Sequence, residues 1–131
     1  MGRSDIEVVK EVYAAFAARD IERVEAVLDP DVVFIAVTGG ILGRTEPYRG
    51  HEGMREYFRD VGRVWDELVL TPREFEEVGE EILVTGRVSA RSPSRMISGS
   101  TGWVWRVVGG LVVYVRVYAS AAEAIAAVRP D

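Results

Sequence analysis

Hydrophobic and polar positions recur with two different periods along this chain, and the switch between them divides it into a helical part and a strand part. Ile6, Val9, Tyr13 and Phe16 lie at helical spacing behind Ser4-Asp5-Ile6-Glu7. That opening is a capping box, with Ser4 as N-cap and Glu7 reaching back, and it predicts a first helix to about Ala18. Asp20 caps a second, short helix with Ile21, Val24, Val27 and Leu28 inward, ended by Asp29-Pro30. Val32 to Val37, "VVFIAV", is a short apolar strand, and "TGGILGRTEPYRG" is a loop by its Gly and Pro content. Met54, Phe58, Val61 and Trp65 then form one stripe, predicting a third helix from about His51 to Trp65.

Beyond that helix the period is two. Strands are predicted over about 67–77, 81–91, 96–107 and 111–118, and Ser120 to Glu123 is a second capping box, opening a closing helix with Ile125 and Val128 inward. Helices followed by antiparallel hairpins mean an α+β fold. The strands are too few for a sandwich, so a curved, mostly antiparallel sheet must wrap the N-terminal helices as a cone-shaped α+β barrel with an internal pocket. No repeat, low-complexity tract or linker interrupts the chain, and a single domain over 1–131 is expected.

Composition narrows the function classes. Of 131 residues 48% are hydrophobic and 28% charged, a globular balance, and the net charge of −5 without a basic run argues against nucleic acid. With no cysteine and one histidine, neither a thiolate site nor a multi-histidine metal centre can be built, and no cofactor is expected. The start, "MGRSDIEVVKEV", carries charges where a signal peptide needs an apolar stretch, and no apolar run reaches the ~20 residues of a membrane span. A cytoplasmic protein without membrane contacts is the default expectation.

Three segments carry a family resemblance: "VYAAFAARDIERVEAVLDPDVVF", "YRGHEGMREYFRDV" and "GWVWRVVGGLVVYVRVYASAAEAIAAV". Together they resemble the SnoaL-like domains of the nuclear transport factor two-like superfamily, which implies the same cone-shaped fold. The superfamily includes ketosteroid isomerases, limonene-type epoxide hydrolases and polyketide cyclases, so the fold alone does not select a chemistry. Against the isomerases, the base position falls at about Ala36 and the protonated acid near Trp103, while Tyr13 is one residue out of step with their tyrosine. Against the epoxide hydrolases, Arg87 matches the arginine of an Arg-x-Asp pair, but Ser89 stands for the aspartate and Val117 falls near the second one. Against the cyclases, the acid–base candidate is His51, whose alternative role is to cap the third helix or sit at the rim.

The orientation of strand 81–91 decides Arg87's role. Leu83, Thr85, Arg87 and Ser89 share one face; Ile82, Val84, Gly86 and Val88 share the other. Periodicity favours the valine face as interior, whereas the resemblance favours the Arg87 face. The last hairpin, "VVGGLV", admits two registers: a two-residue Gly109-Gly110 turn pairing Val108 with Leu111, or a three-residue loop pairing Val107 with Leu111. The second matches the family habit and puts Thr101, Trp103, Trp105, Val113, Val115 and Val117 inside.

With Arg87 inward, the expected catalytic set is Arg87, Tyr13 and His51. The expected pocket is Phe16, Phe34, Ala36, Met54, Phe58, Trp65, Thr85, Ser89, Trp103, Trp105, Val115 and Val117. A guanidinium there suits a carboxylate or enolate-like oxygen of a small apolar or weakly acidic molecule. The outer face, with Val84, Val88, Val104, Val112, Tyr114 and Tyr118, would then meet a second copy in a homodimer. Two functions compete on these residues. One is a pocket protein, in its enzymatic form a metal-free isomerase, cyclase or dehydratase; the other is a non-catalytic dimeric binding module, favoured by the missing interior carboxylate.

Overall fold

A computed structural model describes residues 4–36 and 46–129. Helix α1 (Asp5–Ala17) begins at Ser4, whose hydroxyl accepts from the Glu7 amide while the Glu7 carboxylate accepts from the Ser4 amide, so the capping box forms in both directions. Helix α2 (Ile21–Glu25) is capped by Asp20 as expected but is only five residues long. Strand β1 (Leu28–Ile35) starts earlier than predicted and includes Asp29-Pro30. Proline is tolerated there because pairing is irregular between Leu28 and Val33, where its missing N–H breaks no ladder bond.

The remaining elements are β2 (Tyr48–Arg49), α3 (Gly50–Val64), β3 (Glu67–Val78), β4 (Glu81–Ser92), β5 (Arg95–Val108), β6 (Leu111–Tyr118) and α4 (Ala121–Val128). The strands form one curved, unclosed sheet in the order β2-β1-β6-β5-β4-β3, antiparallel throughout except for the parallel β1–β6 pair. Its inner face, with Phe34, Ile82, Val84, Trp103, Trp105, Val112 and Val115, packs on Val9, Val12 and Tyr13 of α1 and Met54 of α3. Val37 of the expected first strand, and the loop as far as Thr45, lie outside the described residues.

The β5–β6 hairpin corrects the expected register without changing the faces it was meant to set. The turn is the two-residue one: Val108 pairs with Leu111, and Gly109 and Gly110 adopt φ of 60° and 81°, a conformation matching the twist of the strands. A bulge follows, so that Val107 pairs with Val112 but Arg106 with Tyr114. The extra residue, Val113, shifts the pairing by one, and a one-residue shift exchanges the faces of a strand. Trp103, Trp105, Val115 and Val117 therefore point inward as the other register implied, while Val112, expected outside, is fully buried in the core.

α4 lies on the opposite side of the sheet. Leu83, Val104 and Ala124 form a small second core there, joined by Val78, Tyr118 and Val128. Ala124 reaches the sheet because β5 has a glycine beneath it: a Cβ on Gly102 would come within 2.4 Å of the Ala124 Cβ. Ile125, expected inward, is 39% exposed, since the small residue takes the contact.

Candidate functional site

The aromatic side chains of α1, α3 and β5 converge on an internal cavity of about 40 Å³. That is room for about two or three waters, well below the ~300 Å³ of an ordinary ligand pocket. Its floor is built around Tyr13. The Trp105 indole Nε1–H donates to the Tyr13 hydroxyl oxygen at 3.2 Å, and the Tyr13 ring meets Trp103, Trp105 and Phe75 edge-on at 5.2, 5.4 and 6.0 Å. An indole can only donate, so it occupies a lone pair of Tyr13 and leaves the phenolic hydrogen unspent. Burial pushes the Tyr13 hydroxyl well above its usual pKa, against the smaller opposing effect of the Trp105 bond. Tyr13 is thus a neutral hydrogen-bond donor in an apolar chamber.

The other end of the cavity is looser. Phe16 packs edge-on against Phe58 at 5.2 Å and stacks on Tyr57 at 5.9 Å; Tyr57, Phe58 and Leu70 of β3 are only half-buried. Burial pushes the Tyr57 hydroxyl up to about 12, with the positive charge of Arg19 pulling the other way. Arg19 follows Ala18, the C-cap of α1, in a left-handed conformation (φ 54°), while Asp20 N–H donates to Ala15 C=O and Arg19 N–H to Phe16 C=O. This is a Schellman closure, whose left-handed position is usually glycine; an L side chain there costs about 1 kcal/mol.

Of the residues expected to line a pocket, Phe16, Phe34, Met54, Phe58, Trp103, Trp105 and Val115 do line this cavity, together with Tyr13. Ala36 and Val117 are half-buried against the core beyond it, and Trp65 is buried at the end of α3 without bordering it. Arg87, Thr85 and Ser89 are a correction. Val84 pairs with Trp103 and Ile82 with Trp105, which turns the valine face of β4 inward and places Arg87 and Ser89, both exposed, on the outer face. Apolar side chains gain by burial, whereas a guanidinium without a buried carboxylate would lose several kcal/mol. Thr85 sits on the same outer face, half-buried and paired with Gly102.

The expected dimer surface changes with it. Val84 and Val112 are core residues, Val88 faces inward, and Val104 is covered by α4, leaving Tyr114 and Tyr118 on the outer face. His51 stands in the first turn of α3, and its Nε2–H donates to the Leu28 carbonyl at 2.9 Å, stapling α3 to β1. The imidazole does not border the cavity. Among the described residues no three His, Cys, Asp or Glu side chains gather as a metal would require.

Tyr57, Leu70 and Arg19 were not singled out by sequence. Tyr57 lies at i+3 from Met54 in the α3 stripe, a signal that was available. Arg19 carries one only in hindsight: "FAARD" closes a helix with no glycine or asparagine for the left-handed position.

Comparison with known proteins places this geometry. The family model described as "SnoaL-like domain" matches residues 9–115. A nuclear transport factor two-like protein of unknown function from Burkholderia pseudomallei is 31% identical, over 94% of this chain and 95% of its own, with a TM-score of 0.79. TerC, crystallised with polyporic acid, is 26% identical over 96% of this chain and 98% of its own, also at 0.79. A candidate polyketide cyclase from Sinorhizobium meliloti, 16% identical over 85% of this chain and 93% of its own, shares the fold at a TM-score of 0.69. No curated protein matches. With four-fifths of its length matched, the chain belongs to the SnoaL-like domain family.

Proposed function

We propose that this protein binds a small, mostly apolar molecule through a single oxygen, which accepts the free hydrogen of Tyr13. The observation that carries this is the Trp105–Tyr13 hydrogen bond inside an otherwise apolar chamber. It orients a buried donor whose hydrogen has no acceptor among the described residues, and such a group is stabilised by a ligand that supplies one. Crystallisation of TerC, a relative at 26% identity, with polyporic acid supports a small-molecule role. The described lining offers donors but no carboxylate or imidazole, which favours binding over acid–base turnover. Because the cavity is so small, entry requires the half-buried Tyr57, Phe58 and Leu70 to move.

A thermal-shift screen of terpenoid, steroid and polyketide acids, confirmed by native mass spectrometry, tests this reading. Ligands that stabilise the protein, and bind Tyr13→Phe about tenfold more weakly, are expected for one lost hydrogen bond. A screen without a single binder, or Tyr13→Phe binding as tightly as the parent, would remove the cavity from function.

A second reading, a dimeric binding module, draws on the outer face of β1 and β6. Val33, Ile35, Tyr114, Arg116 and Tyr118 are half-buried there, and the guanidinium of Arg116 lies 5.0 Å from the Tyr118 ring centre. Tyrosine and arginine on an apolar patch are the residues interfaces favour. Sedimentation at micromolar concentration distinguishes a dimer, disrupted by Tyr114→Glu, from a monomer that sinks this reading.

A further inference from the structure

We propose that Arg19 and Tyr57 form a second recognition point at the cavity mouth, one that selects ligands carrying an acidic group. This inference rests on the reading of the cavity as a ligand site and adds to it the charge of the ligand.

Arg19 is the only non-glycine residue with positive φ among the described residues. Its guanidinium lies over the Phe16 ring, 4.1 Å from the centroid, and donates to two neutral acceptors, the carbonyls of Phe16 and, at 2.8 Å, Leu68. No described carboxylate pairs with it, unlike Arg23 with Glu11, Arg55 with Glu25 and Arg106 with Glu81. Two backbone carbonyls therefore hold the cation in place without neutralising it, and a guanidinium has five N–H donors, so several remain for an incoming group.

Beside it stands Tyr57, stacked on the same Phe16 ring. Its hydroxyl hydrogen-bonds to no described residue, and the half-buried side chain lines the cavity. A fixed cation and an unpartnered hydroxyl flank the aromatic rim of an apolar chamber. A planar carboxylate, or an acidic enol of similar shape, takes two hydrogen bonds from a guanidinium and can accept a third from the tyrosine.

The ligand class is accordingly an apolar or aromatic molecule with an accepting oxygen for Tyr13 and, apart from it, an acidic group for Arg19 and Tyr57. A role for Arg19 in closing α1 and tying it to β3 accounts for the carbonyl bonds but implies no preference for charge. Ligand charge is therefore the readout that separates the two roles.

The experiment measures calorimetric affinities of 4′-hydroxybiphenyl-4-carboxylate and its neutral carboxamide for the parent protein, Arg19→Gly and Tyr57→Phe. The parent is expected to prefer the acid by about tenfold or more, as for a charge-assisted pair. Arg19→Gly, which places the usual residue at the left-handed position and keeps the fold, should bring the two affinities together by weakening the acid alone. Tyr57→Phe, a readout independent of that backbone change, should weaken the acid several-fold and leave the amide unchanged. Equal binding of acid and amide by the parent, or a preference that survives in both variants, overturns the role of Arg19 and Tyr57 while the cavity stands. Failure of both probes to bind the parent overturns the cavity reading and this inference together.

Discussion

The two ends of the cavity are lined by the same kinds of side chain and differ in what their polar atoms do. At the floor, Tyr13, Trp103 and Trp105 are buried, meet edge to face, and share a hydrogen bond. At the other end, Tyr57 and Phe58 are half-buried, the Tyr57 hydroxyl bonds to no described residue, and nearby Arg19 lies over the Phe16 ring with its charge on two carbonyls. Aromatic content alone would score these ends alike. Satisfaction of the polar groups separates them into a tightly held end and a looser one, because a paired buried donor resists movement while an unpaired half-exposed one loses little by moving.

Substitutions should break this contrast in a fixed order. Trp105→Ala removes one of the two floor tryptophans and should lower unfolding stability by about 3–5 kcal/mol, measured by urea denaturation. Tyr13→Phe keeps the ring but leaves the Trp105 N–H without its acceptor inside the core, a loss of about 1–3 kcal/mol by the same measurement. At the mouth, alkaline titration reads Tyr57. Its folded pKa, about 12, lies above the usual 10.0, so the folded chain keeps a proton that the unfolded chain releases. The stability linked to it is complete below pH 10 and is lost as pH rises from 10 through 12. Tyr57→Phe should flatten that alkaline loss and, at neutral pH, change stability by only about 0.5 kcal/mol or less. The smallest effect is expected on the outer face: Arg87→Leu should shift stability by no more than about 0.5 kcal/mol and leave ligand affinity unaltered. A large effect of Arg87→Leu on affinity would return that residue to the site and dissolve the distinction drawn between the two faces.

β4 shows why part of the site was legible and part was not. The alternation Ile82, Val84, Val88 against Thr85, Arg87, Ser89 selected the inner face correctly when read as hydrophobicity alone; the match of Arg87 to a family motif pointed the wrong way. Leu83 blurred the pattern, being 4% exposed although it faces outward. It is buried because α4 covers the outer face at that end, whereas Arg87 and Ser89 are exposed. A strand covered on both faces at one end and on one face at the other has no single period to read. Arg19 was hidden for another reason. Left-handed backbone at an arginine has no local sequence signature, and its carbonyl acceptor on Leu68 is 49 residues away.

Local chemistry by itself determined the Ser4 capping box, the Asp20 cap, the α3 stripe and the α+β order, because each depends on neighbours within a few residues. Tertiary structure decided the bulge at Val113, the side of the sheet that α4 covers, the direction of Arg87 and the meeting of Arg19 with Tyr57. Those depend on what lies across the sheet or over the helix end, where the free energy of burial and of unpaired charge is set by partners distant in sequence.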